Sequence, residues 1–299
     1  MPKFLSSGEF LSTACAFTWA IAIMFFRKSG ERVTPVALNV FKNTVGMVLF
    51  LVTLPILGIT FFPSGQSTSD WLVLLLSGAI GIGVADSLFF ASLNRLGASN
   101  SAIVDCLYSP FVILCAWLYL RESIGLSILV AMAMMAGAIL VGTWEPKKAA
   151  SGLTRKQLLS GIVLGIAAMF LMAVGIVLAK PVLAHANGWW VTTVRLLGGG
   201  VLLMVHGMTR RHRADVIRCF RPSRQWLYTV PAAVVGAYIA LIMWIQGMKY
   251  TFASIASVLN QMSTIFVLIL AAVFLKERVT VRKVIAIAMA FAGAVIVAL

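Results

Sequence analysis

Four charged side chains lie inside long apolar runs of this sequence: Lys42, Asp86, Asp105 and Arg195. A charged residue at the centre of a membrane helix costs roughly 2.5–3.5 kcal/mol on insertion scales. Such residues persist where they face a cavity or a partner. The chemistry open to them is ion pairing, capture of an ionic ligand, and uptake and release of a proton. Lys42 and Arg195 are suited to holding an anionic group such as a carboxylate, one at each end of a path through the membrane. Asp86 or Asp105 is suited to carrying a proton. Lys42 and Asp86 are equally suited to a salt bridge that closes a gate or fixes helix packing.

Each of the four belongs to a polar stripe at helical spacing. Asn39, Lys42, Asn43 and Gly46 recur at i, i+3, i+4, i+7, and Gly83, Asp86 and Ser87 follow a similar pattern. Ser101, Asp105 and Tyr108 share a face, as do Thr192, Arg195 and Gly199, and Ser257, Asn260, Gln261 and Thr264. Spacing of this kind puts side chains on one side of a helix. The candidate substrate-binding or pathway set is therefore Trp19, Asn39, Lys42, Asp86, Asp105, Tyr108, Trp190, Arg195, Asn260 and Gln261. Trp19, Tyr108 and Trp244 sit deep enough to stack on a flat or quaternary-amine ligand. Trp189-Trp190, Trp71 and Trp226 open apolar runs, where membrane interfaces enrich Trp.

Other chemistries find no support. There is no HExxH, no GxSxG, no Cys–His pair and no acidic cluster suited to magnesium and phosphates, so an enzyme is not expected. The four cysteines form no CxxC pair, and three lie in apolar runs. They read as small hydrophobes, with no disulfide, no metal site and no resident cofactor; a proton is the candidate coupling ion. The formal charge of +15 is carried mostly by short loops between apolar runs, which points to membrane topology and not to nucleic acid.

The elements that must position these residues are membrane helices. The chain is 61% hydrophobic and 11% charged, with a mean hydropathy of +1.00. That is more apolar surface than a soluble core of this size can bury. Runs of roughly 20 apolar residues give ten segments, near 9–27, 35–58, 71–93, 99–120, 124–143, 158–179, 188–207, 225–247, 252–275 and 279–298. The expected fold class is an all-α membrane protein with the lipid bilayer as solvent. Lys and Arg favour cytoplasmic loops. The loops after odd-numbered segments hold 18 of the 24 basic residues and the other side holds 4, which predicts both termini outside. Lys42, Asp86 and Asp105 then lie at one depth in the cytoplasmic half, Lys42 about 10 Å in at 1.5 Å per residue. One base and two acids in a layer make a pair with one carboxylate to spare.

The sequence also repeats itself. Gly81 and Gly236, Ala98-Ser99 and Ala253-Ser254, and Leu120-Arg121-Glu122 and Leu275-Lys276-Glu277 pair at an offset of 155, while Lys42 and Arg195 pair at 153. Two units follow, 1–148 and 149–299, each of five helices. Five is odd, so the second unit is inverted relative to the first, an arrangement characteristic of secondary transporters. Asp105 corresponds to Asn260 and Asp86 to Leu241, so the two halves differ in charge. Glu122 and Glu277 read as caps of the helices that follow them. Gly161-xxx-Gly165 permits close helix approach. The fifth and tenth segments lack polar residues at their middles and are expected on the outer wall or in a homodimer contact.

The pattern resembles the drug/metabolite transporter superfamily, in its bacterial EamA-type branch. The residues that carry the resemblance are Phe17-Thr18-Trp19-Ala20, the basic pair Lys42 and Arg195, Ala98-Ser99, Pro110, and the Leu-Arg-Glu and Leu-Lys-Glu turns at 120–122 and 275–277. The resemblance implies efflux or exchange of small metabolites, amino acids among them, in the bacterial inner membrane without ATP. Other readings are a lipid flippase or scramblase, with the two basic residues on a phosphate, and efflux of cationic drugs against an aspartate.

Overall fold

The long helices begin where capping chemistry allows. The computed structural model describes residues 8–120, scattered positions within 130–141, and 154–251, 253–277 and 280–298. The apolar segment at 124–143 lies largely outside the described residues, and Glu122 lies wholly outside them. The helices are α1 (Gly8–Ser29), α2 (Pro35–Ile56), α3 (Thr68–Leu96), α4 (Ala98–Asp105), α5 (Tyr108–Leu120), α6 (Arg155–His185), α7 (Gly188–Gly207), α8 (Arg213–Cys219), α9 (Trp226–Tyr250), α10 (Ala253–Phe274) and α11 (Val281–Ala298). Seven spans among the described residues are long and apolar enough to cross a membrane. The secondary structure of the described residues is all helical, and the protein is a multi-pass membrane protein.

Local sequence explains the ends. Pro35 opens α2, where its missing N–H costs nothing. Ser67 and Asp70 close a capping box, with the Ser67 N–H donating to Asp70 Oδ2 at 3.0 Å and the Asp70 N–H to Ser67 Oγ at 3.1 Å. That box starts α3 earlier than hydropathy alone suggests. Thr154 and Gln157 do the same for α6. α6 also runs past residue 179 to His185, with Pro181 inside its last turns. Lys180 there donates to the carbonyls of Met248 and Thr251 at the end of α9. The polar connection 208–224 contains the short helix α8, which hydropathy did not reveal. Val216 and Cys219 of α8 are buried, and the Trp226 indole N–H donates to Cys219 O at 3.0 Å.

Two spans are interrupted. α3 carries a π-helical stretch at Ala79–Val84 and α9 another at Ala233–Ala240. Such stretches are frequent at functional sites. The fourth apolar segment breaks at Cys106-Leu107 between α4 and α5. Pro110 lacks the N–H that would bind the Cys106 carbonyl, and the chain there turns through short bonds, Cys106 N–H to Ile103 O and Leu107 N–H to Val104 O.

Helices from early and late in the sequence pack on one another. α1 lies along α9 and α10, α3 along α6 and α7, and α2 along α7. The α3–α7 contact is backbone on backbone. A Cβ at Gly78 would sit 1.8 Å from Arg195 O, and one at Gly198 would sit 2.1 Å from Leu75 O. Gly161 and Gly165 face Leu96 and Val104, so that motif serves packing within the bundle.

Candidate functional site

A cavity of about 130 Å³ lies in the middle of the bundle, roughly ten times the roughly 10–15 Å³ that one water needs. α1, α2, α3, α6, α7, α9 and α10 all contribute to its wall, along with Asp105 and Tyr108 at the α4–α5 break. Eight of the sequence candidates line it: Trp19, Lys42, Asp86, Asp105, Tyr108, Arg195, Asn260 and Gln261. The other two bind elsewhere. Asn39 donates its amide to Ile82 O at 3.0 Å, Gly83 O at 3.2 Å and Ser87 Oγ at 2.9 Å, pinning α2 to the π-helical stretch of α3. Trp190 donates to Phe61 O at 2.9 Å and meets Trp71 edge to face at 5.1 Å.

The wall follows the internal repeat. Gly81 and Gly236, Ile82 and Ala237, Asp86 and Leu241, Asp105 and Asn260, and Tyr108 and Ser263 all line the cavity in pairs 155 residues apart. Lys42 with Arg195, and Trp19 with Met172, do so at 153. Met172, Ser263 and the two glycines were not among the sequence candidates, although the repeat offset locates each once its partner is chosen.

The charged groups have distinct surroundings. Lys42 Nζ is paired with Asp86 Oδ2, and both residues are buried. Arg195 is 1% exposed. Its Nε–H donates to Ser77 Oγ at 2.9 Å, and Ser77 donates onward to Gly175 O at 2.5 Å. The guanidinium lies 5.3 Å from the Trp244 ring, a cation–π contact worth about 0.5–2 kcal/mol. Ser77 was missed because a lone serine in an apolar run gives no pattern.

Several polar atoms at the wall are buried yet have no hydrogen-bond partner among the described residues: Arg195 Nη1, Asp105 Oδ1, Tyr108 OH, and both amide atoms of Asn260. Gln261 reaches only the Asp105 carbonyl, at 3.5 Å. Buried polar groups are nearly always satisfied, so this concentration marks a place where water or a ligand supplies the partner.

One expected contact is corrected. Among the described residues, the helix that follows Glu277 is capped by Thr280, which accepts from the Lys283 N–H at 3.4 Å, and not by the Glu277 carboxylate. Glu277 instead caps α4. Its carboxylate accepts from the Ala98 N–H at 2.9 Å, the Ser99 N–H at 3.0 Å and the Ser99 hydroxyl at 2.6 Å. Gly97 precedes α4 with φ +78° and brings no side chain of its own, so the free N–H groups there take an acid from another part of the chain.

Comparison with known proteins agrees with this architecture. A family model described as the EamA-like transporter family matches residues 6–143 and again 159–299. Protein PecM of Dickeya dadantii is 26% identical over 234 residues, covering 76% of this chain and 73% of that protein. An uncharacterized transporter of Archaeoglobus fulgidus is 46% identical over 64 residues, covering 21% of this chain and 23% of that protein. A crystal structure at 17% identity matches with a TM-score of 0.67 over 95% of each chain, a likeness of fold. With the family model spanning nearly the whole sequence in two matches, the chain belongs to the EamA-like transporter family.

Proposed function

We propose that this protein is a secondary active transporter, an exporter of small metabolites such as amino acids, working by alternating access and coupled to protons. The observation that carries the reading is the central cavity, with unpartnered polar atoms contributed by both halves of the sequence. Two units, 1–148 and 149–299, with five helices each and inverted in the membrane, account for the paired lining residues and for the two family matches. Both termini then face outward from a bacterial inner membrane, and the basic connections face the cytoplasm.

The residues suggest how such a cycle runs. The π-helical stretches of α3 and α9 border the cavity and supply places for the two spans to bend. Glu277 joins the α10–α11 turn to the start of α4 on the side of the basic loops, so it serves as a latch between the halves. Lys42 and Asp86 satisfy each other and hold α2 to α3. Asp105 has no ion-pair partner among the described residues, and an ionised carboxylate out of contact with water is costly unless paired. A change in its access to water therefore couples to proton binding. The unpaired guanidinium of Arg195 disfavours efflux of simple cations.

The test is uptake and counterflow in proteoliposomes with a labelled pool of amino acids and other metabolites, with and without a pH gradient. Gradient-driven accumulation of one compound is the expected result. No movement of any small compound, combined with fluorescent lipids equilibrating between leaflets, would replace this reading with that of a lipid scramblase.

A further inference from the structure

We infer that the Nη1 edge of Arg195 is a subsite for a singly charged carboxylate, and that Ser77 is its positioning residue. The inference rests on the reading of the cavity as the substrate site and specifies what the site takes. Among the described residues, the charged groups at the wall are Lys42, Asp86, Asp105 and Arg195. Lys42 is committed to Asp86, so the anion site at Lys42 suggested by its sequence position is already filled from within. Arg195 is different. It is almost fully buried, one edge is fixed by the Nε–Ser77 bond, one face lies on Trp244, and Nη1 has no partner among the described residues.

The arrangement defines the ligand group. A guanidinium is planar and always charged, and it matches the plane of a carboxylate. Ser77 spends its own proton on Gly175 O and so presents a lone pair to Nε, which fixes the plane of the fork. The charge count favours one negative charge. A single uncommitted cation, with Asp105 on the same wall, leaves the second charge of a phosphate or dicarboxylate uncompensated. Apolar neighbours such as Trp19, Phe89, Met172 and Trp244 suit an uncharged body attached to the acid.

The experiment is calorimetric titration of the full chain in lipid nanodiscs with phenylacetate, phenylacetamide and benzylphosphonate, which share a body and differ in head group. Phenylacetate is expected to bind about 10- to 100-fold more tightly than the amide, as a charge-assisted hydrogen bond requires, and more tightly than the phosphonate. Arg195→Gln should bring the acid-to-amide ratio to about one. Ser77→Ala should lower that ratio chiefly by weakening phenylacetate binding, a head-group-selective loss that a general loss of structure would not produce. A wild-type ratio near one, or tighter binding of the phosphonate, overturns the subsite. So does a ratio that survives Arg195→Gln in monodisperse protein. Should Arg195→Gln fail to fold, the wild-type ratio and Ser77→Ala decide. Failure of all counterflow with head-group discrimination intact overturns the transporter reading alone. Transport without discrimination overturns the subsite alone.

Discussion

The Glu277 carboxylate accepts the Ser99 hydroxyl at 2.6 Å, although the two residues are 178 positions apart in the chain. The same carboxylate takes the first two N–H groups of α4. A helix N-terminus in the early half is thus capped by an acid from the late half. Lys276, just before it, has φ +53°, a conformation uncommon outside glycine, so the turn is held in a particular shape to deliver the acid.

Removing that cap should loosen α4 selectively. A helix cap is worth about 0.5–2 kcal/mol, or roughly a 2- to 30-fold change in an opening equilibrium. Glu277→Gln should raise amide hydrogen exchange within 98–101 by a factor in that range, while exchange in α2 stays unchanged. Uniform acceleration through the bundle would show that Glu277 supports the whole fold and not a latch.

The Lys42–Asp86 pair should behave as a buried ion pair whose halves need each other. Removing one partner of such a pair costs about 3–5 kcal/mol, whereas replacing both with apolar groups is often neutral. Lys42→Met and Asp86→Leu should each lower the thermal midpoint in detergent, and the double variant should recover most of the loss. The Leu is chosen because Leu241 occupies the corresponding position of the second half. A double variant less stable than either single one would show that the residues act separately.

Asp105→Asn should separate exchange from driven transport. Asn260 stands at the equivalent wall position, so the amide fits this architecture. Counterflow should persist in proteoliposomes while accumulation driven by a pH gradient disappears. Undiminished accumulation would remove Asp105 from the coupling.

The connection around α8 should weaken in acid. His212 is held below the ordinary histidine range by burial, with the charges of His206 and Arg211 acting in the same direction and Asp215 opposing them. The His206 and His212 rings are 4.9 Å apart. A lowered value in the folded state means that the unfolded connection binds the proton more readily. Stability is therefore complete above the usual histidine value and falls as pH drops through it. Exchange in Arg213–Cys219, corrected for intrinsic rates, should accelerate between about pH 7.5 and 5.5, and His212→Gln should abolish that dependence.

Much of the molecule was legible as sequence because membrane helices are encoded locally. The apolar runs placed the seven spans seen among the described residues, and helical spacing put Lys42, Asp86 and Asp105 on polar faces that line one cavity. Other features left weaker traces. The capping box at Ser67 and Asp70 extends α3 by a polar turn that hydropathy scores against, and α8 is too short and too basic to register. Asn39 and Trp190 belonged to the right helices, but their hydrogen bonds go mainly to the backbone carbonyls of Ile82, Gly83 and Phe61, which carry no sequence pattern.

The sequence by itself determined the class of protein, the seven membrane-capable spans found among the described residues, the repeat, and the four charges placed inside the apolar runs, because each depends on residues a few positions apart or at one constant offset. The tertiary structure alone decided the partners. Helical period states which face a side chain occupies and not which neighbour stands opposite. Close backbone contacts such as Gly78 against Arg195 set the rotation and depth of α3 and α7. From that packing follow the pairing of Lys42 with Asp86, the hold of Ser77 on Arg195 and the reach of Glu277 to α4.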